Sequence, residues 1–146
     1  MKISLIYINS KNSVYDTAID EYKKRLSRYA DFTEIRFEHS DIKKESESIY
    51  KKIEESDFVV LLDEIGSPLK SINFAEFIDN KMNMSTKRLI FVIGGAYGAA
   101  PILKERANYI LKLSDMVLPH ELARLLLIEQ IYRAYSILNN SPYHHK

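Results

Sequence analysis

Apolar positions run through this chain in two rhythms, and the rhythms alternate. Ile3 to Ile8 is a β-rich run that alternates like a strand. Asn9 to Ser13 is a polar turn with helix N-cap candidates. Ala18, Ile19, Tyr22, Leu26 and Tyr29 then recur at 3–4 spacing, which predicts a helix ending near Tyr29. Phe32, Ile35 and Phe37 lie in an alternating run. Asp41 to Glu55 reads as a charged helix with a thin stripe of Ile42, Ile49 and Ile53. Phe58 to Leu62 and Leu89 to Ile93 are continuously apolar, as buried parallel strands should be. Asn73 to Met84 is a helix between them. Pro101 opens a short helix, because proline suits a first helical turn. Tyr109 to Leu113 is a fifth strand, and Glu121 to Asn139 the longest helix. Alternating strands and helices predict an α/β fold with a parallel sheet and helices on both faces.

Composition narrows the class. A chain of 146 residues with 46% hydrophobic content predicts one domain, residues 1–146, with a real core. Lys and Arg number 21 against 20 Asp and Glu, a formal net charge of +1. That balance argues against nonspecific binding to bare nucleic acid, so no DNA partner is expected, while a shaped RNA or an RNA–protein particle stays open. There are no cysteines, hence no disulfide, thiolate metal site or thiol nucleophile, which fits a reducing cytosol. The N-terminus is too short for a signal segment, and no apolar run approaches a membrane span. These features predict a cytoplasmic protein with no membrane partner.

Chemistry has few places to sit. Three of the four glycines fall in Gly94-Gly95-Ala96-Tyr97-Gly98, directly after a buried strand. Ligands of parallel sheets bind beyond the carboxyl ends of strands. The spacing matches neither a dinucleotide fingerprint nor a phosphate loop, so ligand loop and plain tight turn stand level. Asp63-Glu64-Ile65-Gly66-Ser67-Pro68 lies at another carboxyl edge. Its carboxylates could act as acid and base or bind a ribose, but a capped turn is the ordinary expectation. Leu113 to His120 is unusually apolar for a connection. Its main chain needs partners, which a buried ligand such as an adenine ring could supply; the alternative is a strand at 116–118.

His120 and Arg124 share a face of the last helix, as do Glu129 and Arg133. The second pair reads by default as a surface ion pair. His120, at a helix start, could be a base or a cap. Lys23-Lys24-Arg25 with Arg28 forms a basic face that is either solvated or a phosphate contact. No His, Asp or Glu cluster has metal-ligand spacing, so no metal is expected. The chain closes on Pro142-Tyr143-His144-His145-Lys146, chemically rich for a terminus.

Taken in order, Leu62-Asp63-x-x-Gly66, Phe91-Val92-Ile93-Gly94-Gly95-x-x-Gly98, Leu118-Pro119-His120-x-x-x-Arg124, Glu129-Gln130-x-Tyr132-Arg133-Ala134 and Pro142-Tyr143-His144 resemble the RlmH family. These are SPOUT-class methyltransferases of the large ribosomal subunit. The likeness is collinear over the whole chain. It implies a SPOUT fold: a single-domain parallel-sheet α/β protein with a deep C-terminal trefoil knot, which ordinary topology rules would not suggest. It implies methyl transfer from S-adenosylmethionine to N3 of a pseudouridine in a stem-loop of 23S rRNA, on the assembled ribosome. It implies a homodimer with each cofactor pocket near the subunit interface and the partner's tail close by. Cofactor contacts then fall to Leu62, Gly94 and the run Leu113, Ser114, Asp115, Met116, Val117, Leu118. Substrate handling falls to His120, Arg124, Arg133, Tyr143 and His144, with His144 and His120 the candidate bases.

The chain departs from the family pattern in four places. Asn9 replaces a common glycine, Ser67 stands where a lysine often follows, the region 40–57 is short, and His145-Lys146 replaces a single basic residue at the end. Two other readings compete: a SPOUT enzyme acting on another RNA such as tRNA, and a non-catalytic RNA-binding or ribosome-assembly module.

Overall fold

The structure, a computed structural model, describes residues 1–9 and 12–145. Ser10 and Lys11, in the predicted turn, and Lys146, in the predicted tail, lie outside the described residues. Five strands, β1 (Lys2–Ile8), β2 (Asp31–Phe37), β3 (Phe58–Pro68), β4 (Arg88–Ile93) and β5 (Tyr109–Lys112), form one sheet in the order β2-β1-β4-β3-β5. Every pairing is parallel. Five helices connect or follow them: α1 (Asp16–Leu26), α2 (Ile42–Tyr50), α3 (Ser71–Asn83), α4 (Pro101–Arg106) and α5 (His120–Leu138).

The pleat splits the core in two. Ile3, Leu5 and Tyr7 of β1, with Leu89, Phe91 and Ile93 of β4, point to the face covered by α1, α3 and α5. Ile6, Ile8, Ile90 and Val92 point the other way, onto Ile49 of α2 and Leu103 of α4. Each central strand therefore buries both faces, which is why Val59–Leu62 of β3 and Leu89–Ile93 of β4 are unbroken apolar runs, while β1 buries one polar side chain, Ser4. The five predicted strands all form, and helices lie on both faces as expected.

Helix α1 ends at Leu26, a turn short of the expected Tyr29, and three further boundaries differ in ways that shape the fold. Helix α2 starts on an Asp41 cap, whose side chain accepts the Lys44 N–H at 2.9 Å, but stops at Tyr50 instead of running to Glu55. The chain turns there because Asp57 claims it: its carboxylate accepts the Glu54 N–H at 2.7 Å and two contacts from Arg88 at 2.8 and 2.6 Å. The second is the expected turn at Asp63–Pro68, which is strand. Pairing of β3 to β5 breaks after Leu62–Leu111 and resumes at Ser67–Leu111, so 63–66 bulge out. Gly66 permits it, since a Cβ there would stand 2.5 Å from the Ile110 carbonyl oxygen. The third is that β5 ends at Lys112 and residues 113–119 are an irregular connection, not a strand at 116–118.

Candidate functional site

A cavity of about 850 Å³ opens at the carboxyl ends of β3, β4 and β5. Such a volume suits a nucleoside-sized ligand. Its wall is built from three segments that the fold brings together: Leu62, Asp63 and Glu64 of β3, the loop Gly94–Ala99 after β4, and the connection after β5 running into His120. Of the positions expected to hold a cofactor, Leu62, Gly94, Leu113, Ser114, Met116, Val117 and Leu118 all line it. Asp115 does not. Its exposed carboxylate meets Lys112 at 2.6 Å, and that ammonium holds it below the usual carboxylate range. Met116 and Val117 leave 80% and 78% of their surface uncovered at the cavity rim.

The glycine loop is both a tight turn and a cavity wall. Gly95 and Gly98 form an antiparallel bridge, with the Gly98 N–H donating to the Gly95 carbonyl at 3.0 Å. Gly98 has φ +88°, where side-chain-bearing residues are strained. A Cβ on Gly94 would stand 2.6 Å from the Gly98 carbonyl oxygen. Helix α2 supports the loop from below. The buried Ser46 hydroxyl accepts the Ala100 N–H at 2.9 Å, and the buried Glu45 carboxylate lies against Gly95.

His120 opens α5 but caps nothing, so the capping alternative is corrected: the residue lines the cavity instead. Its Nε2 is buried with no hydrogen-bond partner among the described residues. Arg124, one turn on, points away from the cavity wall. It is 7% exposed and grips both oxygens of Glu34 at 2.6 and 2.8 Å, with Asp16 at 3.5 Å and the Tyr7 ring centroid at 4.1 Å. Burial would raise the Glu34 pKa, but Arg124 and Lys23, whose ammonium is 2.8 Å away, overcome it and hold the carboxyl below its ordinary value.

Arg133, Tyr143 and His144 form a second cluster, none of it lining the cavity. The expected surface pair of Glu129 and Arg133 is instead the centre of a half-buried network. Glu129 accepts from Arg133 at 3.0 and 2.7 Å, from Gln130 at 2.8 Å and from the Tyr143 hydroxyl at 2.9 Å. Tyr143 stacks edge-on against Tyr132, lies beneath the Arg133 guanidinium and has its hydroxyl 3.2 Å from that of Tyr22. Burial, then Tyr22 and Glu129, pushes its phenol pKa up. Arg133 also lies 3.1 Å from His144 Nδ1. A guanidinium only donates, so Nδ1 accepts and a neutral His144 carries its hydrogen on Nε2. His144 is thus set as a donor, whereas His120, a cavity-lining residue, keeps a buried Nε2 unengaged among the described residues. Arg133 begins roughly 20 Å beyond His120 along α5, at about 1.5 Å per residue.

Residues 1–144 match the family described as predicted SPOUT methyltransferase. This chain belongs to that family. It is 41% identical, over the full length of both chains, to the ribosomal RNA large subunit methyltransferase H of Parabacteroides distasonis. The proteins of the same name from Pseudothermotoga lettingae and Caldicellulosiruptor saccharolyticus are 37% and 40% identical, covering 99% and 92% of this chain and 100% and 93% of theirs. The parallel sheet with helices on both faces is that of a SPOUT methyltransferase of the methyltransferase H family.

Sequence reading missed the part of this SPOUT site that α2 supplies. Glu45, Ser46 and the neighbouring His39 received no role. A signal was present: the apolar stripe of Ile42, Ile49 and Ile53 has a gap at 45 and 46, and those two polar side chains are 6% and 2% exposed. Polar residues on the buried face of a helix need partners, and here they are the Ser40 N–H for Glu45 and the Ala100 N–H, just past the cavity loop, for Ser46.

Proposed function

We infer that this chain transfers a methyl group from S-adenosylmethionine to N3 of a pseudouridine in a stem-loop of 23S rRNA, on the assembled ribosome, and so works in the cytoplasm. The observation that carries this reading is the single cavity gathering Leu62, Gly94 and the 113–118 connection beside His120, in a chain whose relatives are named large-subunit rRNA methyltransferases. The cavity fits the cofactor. Gly94 lets the main chain of Gly98 crowd the wall, and Ile93, Leu111, Leu113 and Leu118 offer an apolar surface for an adenosyl group. When bound, the cofactor supplies an electrophilic methyl on a sulfonium.

Methyl transfer of this kind is an in-line displacement, so residues that position the acceptor govern the rate. The acceptor imide must lose its N3 proton. His120 is our base, because it lines the cavity at the start of α5 and its buried Nε2 is engaged by no other group among the described residues. His144, with Nδ1 held by Arg133, donates from Nε2 to a base carbonyl, and Tyr143 offers a stacking face. Arg124 acts by anchoring the first turns of α5, hence His120, to Glu34 on β2.

The tail cluster and the cavity lie too far apart on one chain to meet at one acceptor base. A homodimer resolves this, with the tail of one copy facing the cavity of the other. The knot implied by the resemblance would thread the connection after β5, of which Leu113, Ser114, Met116, Val117 and Leu118 line the cavity.

The test is to incubate the protein with labelled S-adenosylmethionine and ribosomes lacking this modification. Label in the 23S pseudouridine loop is expected; its absence would sink the reading. Label in free tRNA instead would keep the chemistry and change the substrate. Absence of S-adenosylmethionine binding by calorimetry would point to a non-enzymatic RNA-binding or assembly module.

A further inference from the structure

The β2–α2 connection places a second histidine on the site. The His39 ring meets the His120 ring edge-on, with centroids 5.6 Å apart and planes at 84°. His39 Nδ1 lies 3.7 Å from the Glu45 carboxylate, which also accepts the Ser40 N–H at 2.9 Å. Glu45 is 6% exposed and rests against Gly95 in the cavity loop. The carboxylate is therefore committed to one position by α2, by the 39–40 backbone and by the loop. An aromatic edge against an aromatic face fixes ring orientation. His120 has no hydrogen bond at Nε2 to do this, so its ring depends on packing.

We propose that His39, anchored by Glu45, is a positioning residue that sets the orientation of the His120 ring at the cavity wall. The proposal rests on the reading of His120 as the group that meets the acceptor base. Glu45 serves twice, since the same carboxylate supports Gly95 and steadies His39. The cofactor-side loop and the acceptor-side histidine thus share one buried anchor. His39 leaves 47% of its side chain exposed, so it can be replaced without opening the core.

The experiment compares His39→Ala and His39→Phe with the unaltered protein. Steady-state methyl transfer to ribosomes lacking the modification, calorimetric S-adenosylmethionine affinity, thermal unfolding and the ring nitrogen signals of ¹⁵N-histidine-labelled protein are measured. His39→Ala should lower kcat on the order of tenfold, in line with a small misplacement of a reacting group. KM, cofactor Kd and the melting temperature should stay near those of the unaltered protein, and the His120 ring signals should shift. His39→Phe keeps the aromatic edge but not the contact with Glu45, and should recover part of the loss. Unchanged His120 signals in His39→Ala, or an unchanged kcat, overturns the proposal. So does a joint fall of kcat, cofactor affinity and melting temperature, which is the mark of a fold support, and so does a complete failure of His39→Phe to recover. If the unaltered protein methylates no ribosomes, the function assigned above fails, and the ring signals still decide whether His39 orients His120.

Discussion

Arg124 and Glu34, ninety residues apart, form a two-point ion pair with N–O distances of 2.6 and 2.8 Å beneath the Tyr7 ring. The pair fastens the start of α5 to an edge strand of the sheet. It decides where His120 stands, because His120 lies one helical turn before Arg124. Removing Glu34 leaves the buried Arg124 charge with only the longer contact to Asp16 at 3.5 Å. Glu34→Gln should therefore cost on the order of 3 kcal/mol in urea unfolding. A loss under about 0.5 kcal/mol, the size typical of an exposed pair, would contradict this.

The same carboxylate makes stability depend on pH. Glu34 in the folded protein has its pKa below the ordinary value, and Asp57, against Arg88, behaves alike. A depressed folded pKa contributes stability above the unfolded pKa and loses it as pH falls through the folded one. Urea midpoints should thus hold steady near neutrality and drop below the ordinary carboxylate range. Glu34→Gln should flatten part of that slope. An equal slope in the variant would show that other groups carry the acid sensitivity.

The two adjacent glycines of the cavity loop should respond differently to alanine. At Gly94 the added Cβ meets the backbone of Gly98 at 2.6 and 2.9 Å, which cannot give without moving the loop. At Gly95 it meets the end of the Glu45 side chain at 2.9 Å. Gly94→Ala should weaken S-adenosylmethionine binding on the order of tenfold, about 1.4 kcal/mol, with a stability loss of about 1–3 kcal/mol. Gly95→Ala should be milder in both. Calorimetry and thermal unfolding of the two variants check the order.

Deleting Tyr143 to Lys146 should abolish turnover while leaving most cofactor affinity, because no residue of the described tail lines the cavity. The docked ring of Tyr143 and its bond to Glu129 should appear as a modest fall in melting temperature. Loss of cofactor binding in the truncation would show that the tail also shapes the pocket.

Light scattering at micromolar concentration should give the mass of a dimer for both full-length and truncated chains. A monomeric mass would remove the shared-site arrangement, since the tail and cavity of one chain lie apart along α5.

How far the sequence could be read depends on whether a feature is local. Periodicity located the strands because each central strand buries both faces, and Val59 to Leu61 and Leu89 to Ile93 show it without interruption. The glycine cluster after β4 pointed to the cavity for the same local reason. The bulge at 63–66 could not be foreseen: its cause is the Ile110 carbonyl on a different strand, and Gly66 looks like any turn glycine.

The burial of Arg124 was equally hidden. Its helical spacing from His120 suggested a shared active face, yet the partner that claims it is Glu34, brought close by the parallel pairing of β1 and β2. Glu45 and His39 belong to the same class of facts. By itself the sequence determined the alternation of elements, the order of the motifs and the chemistry available at the strand ends, since these depend on neighbours along the chain. The tertiary structure alone decided which polar side chains are spent on holding the fold and which, like His120 at the cavity wall, keep a ring nitrogen unengaged, because a charge or ring nitrogen is satisfied by groups near it in space.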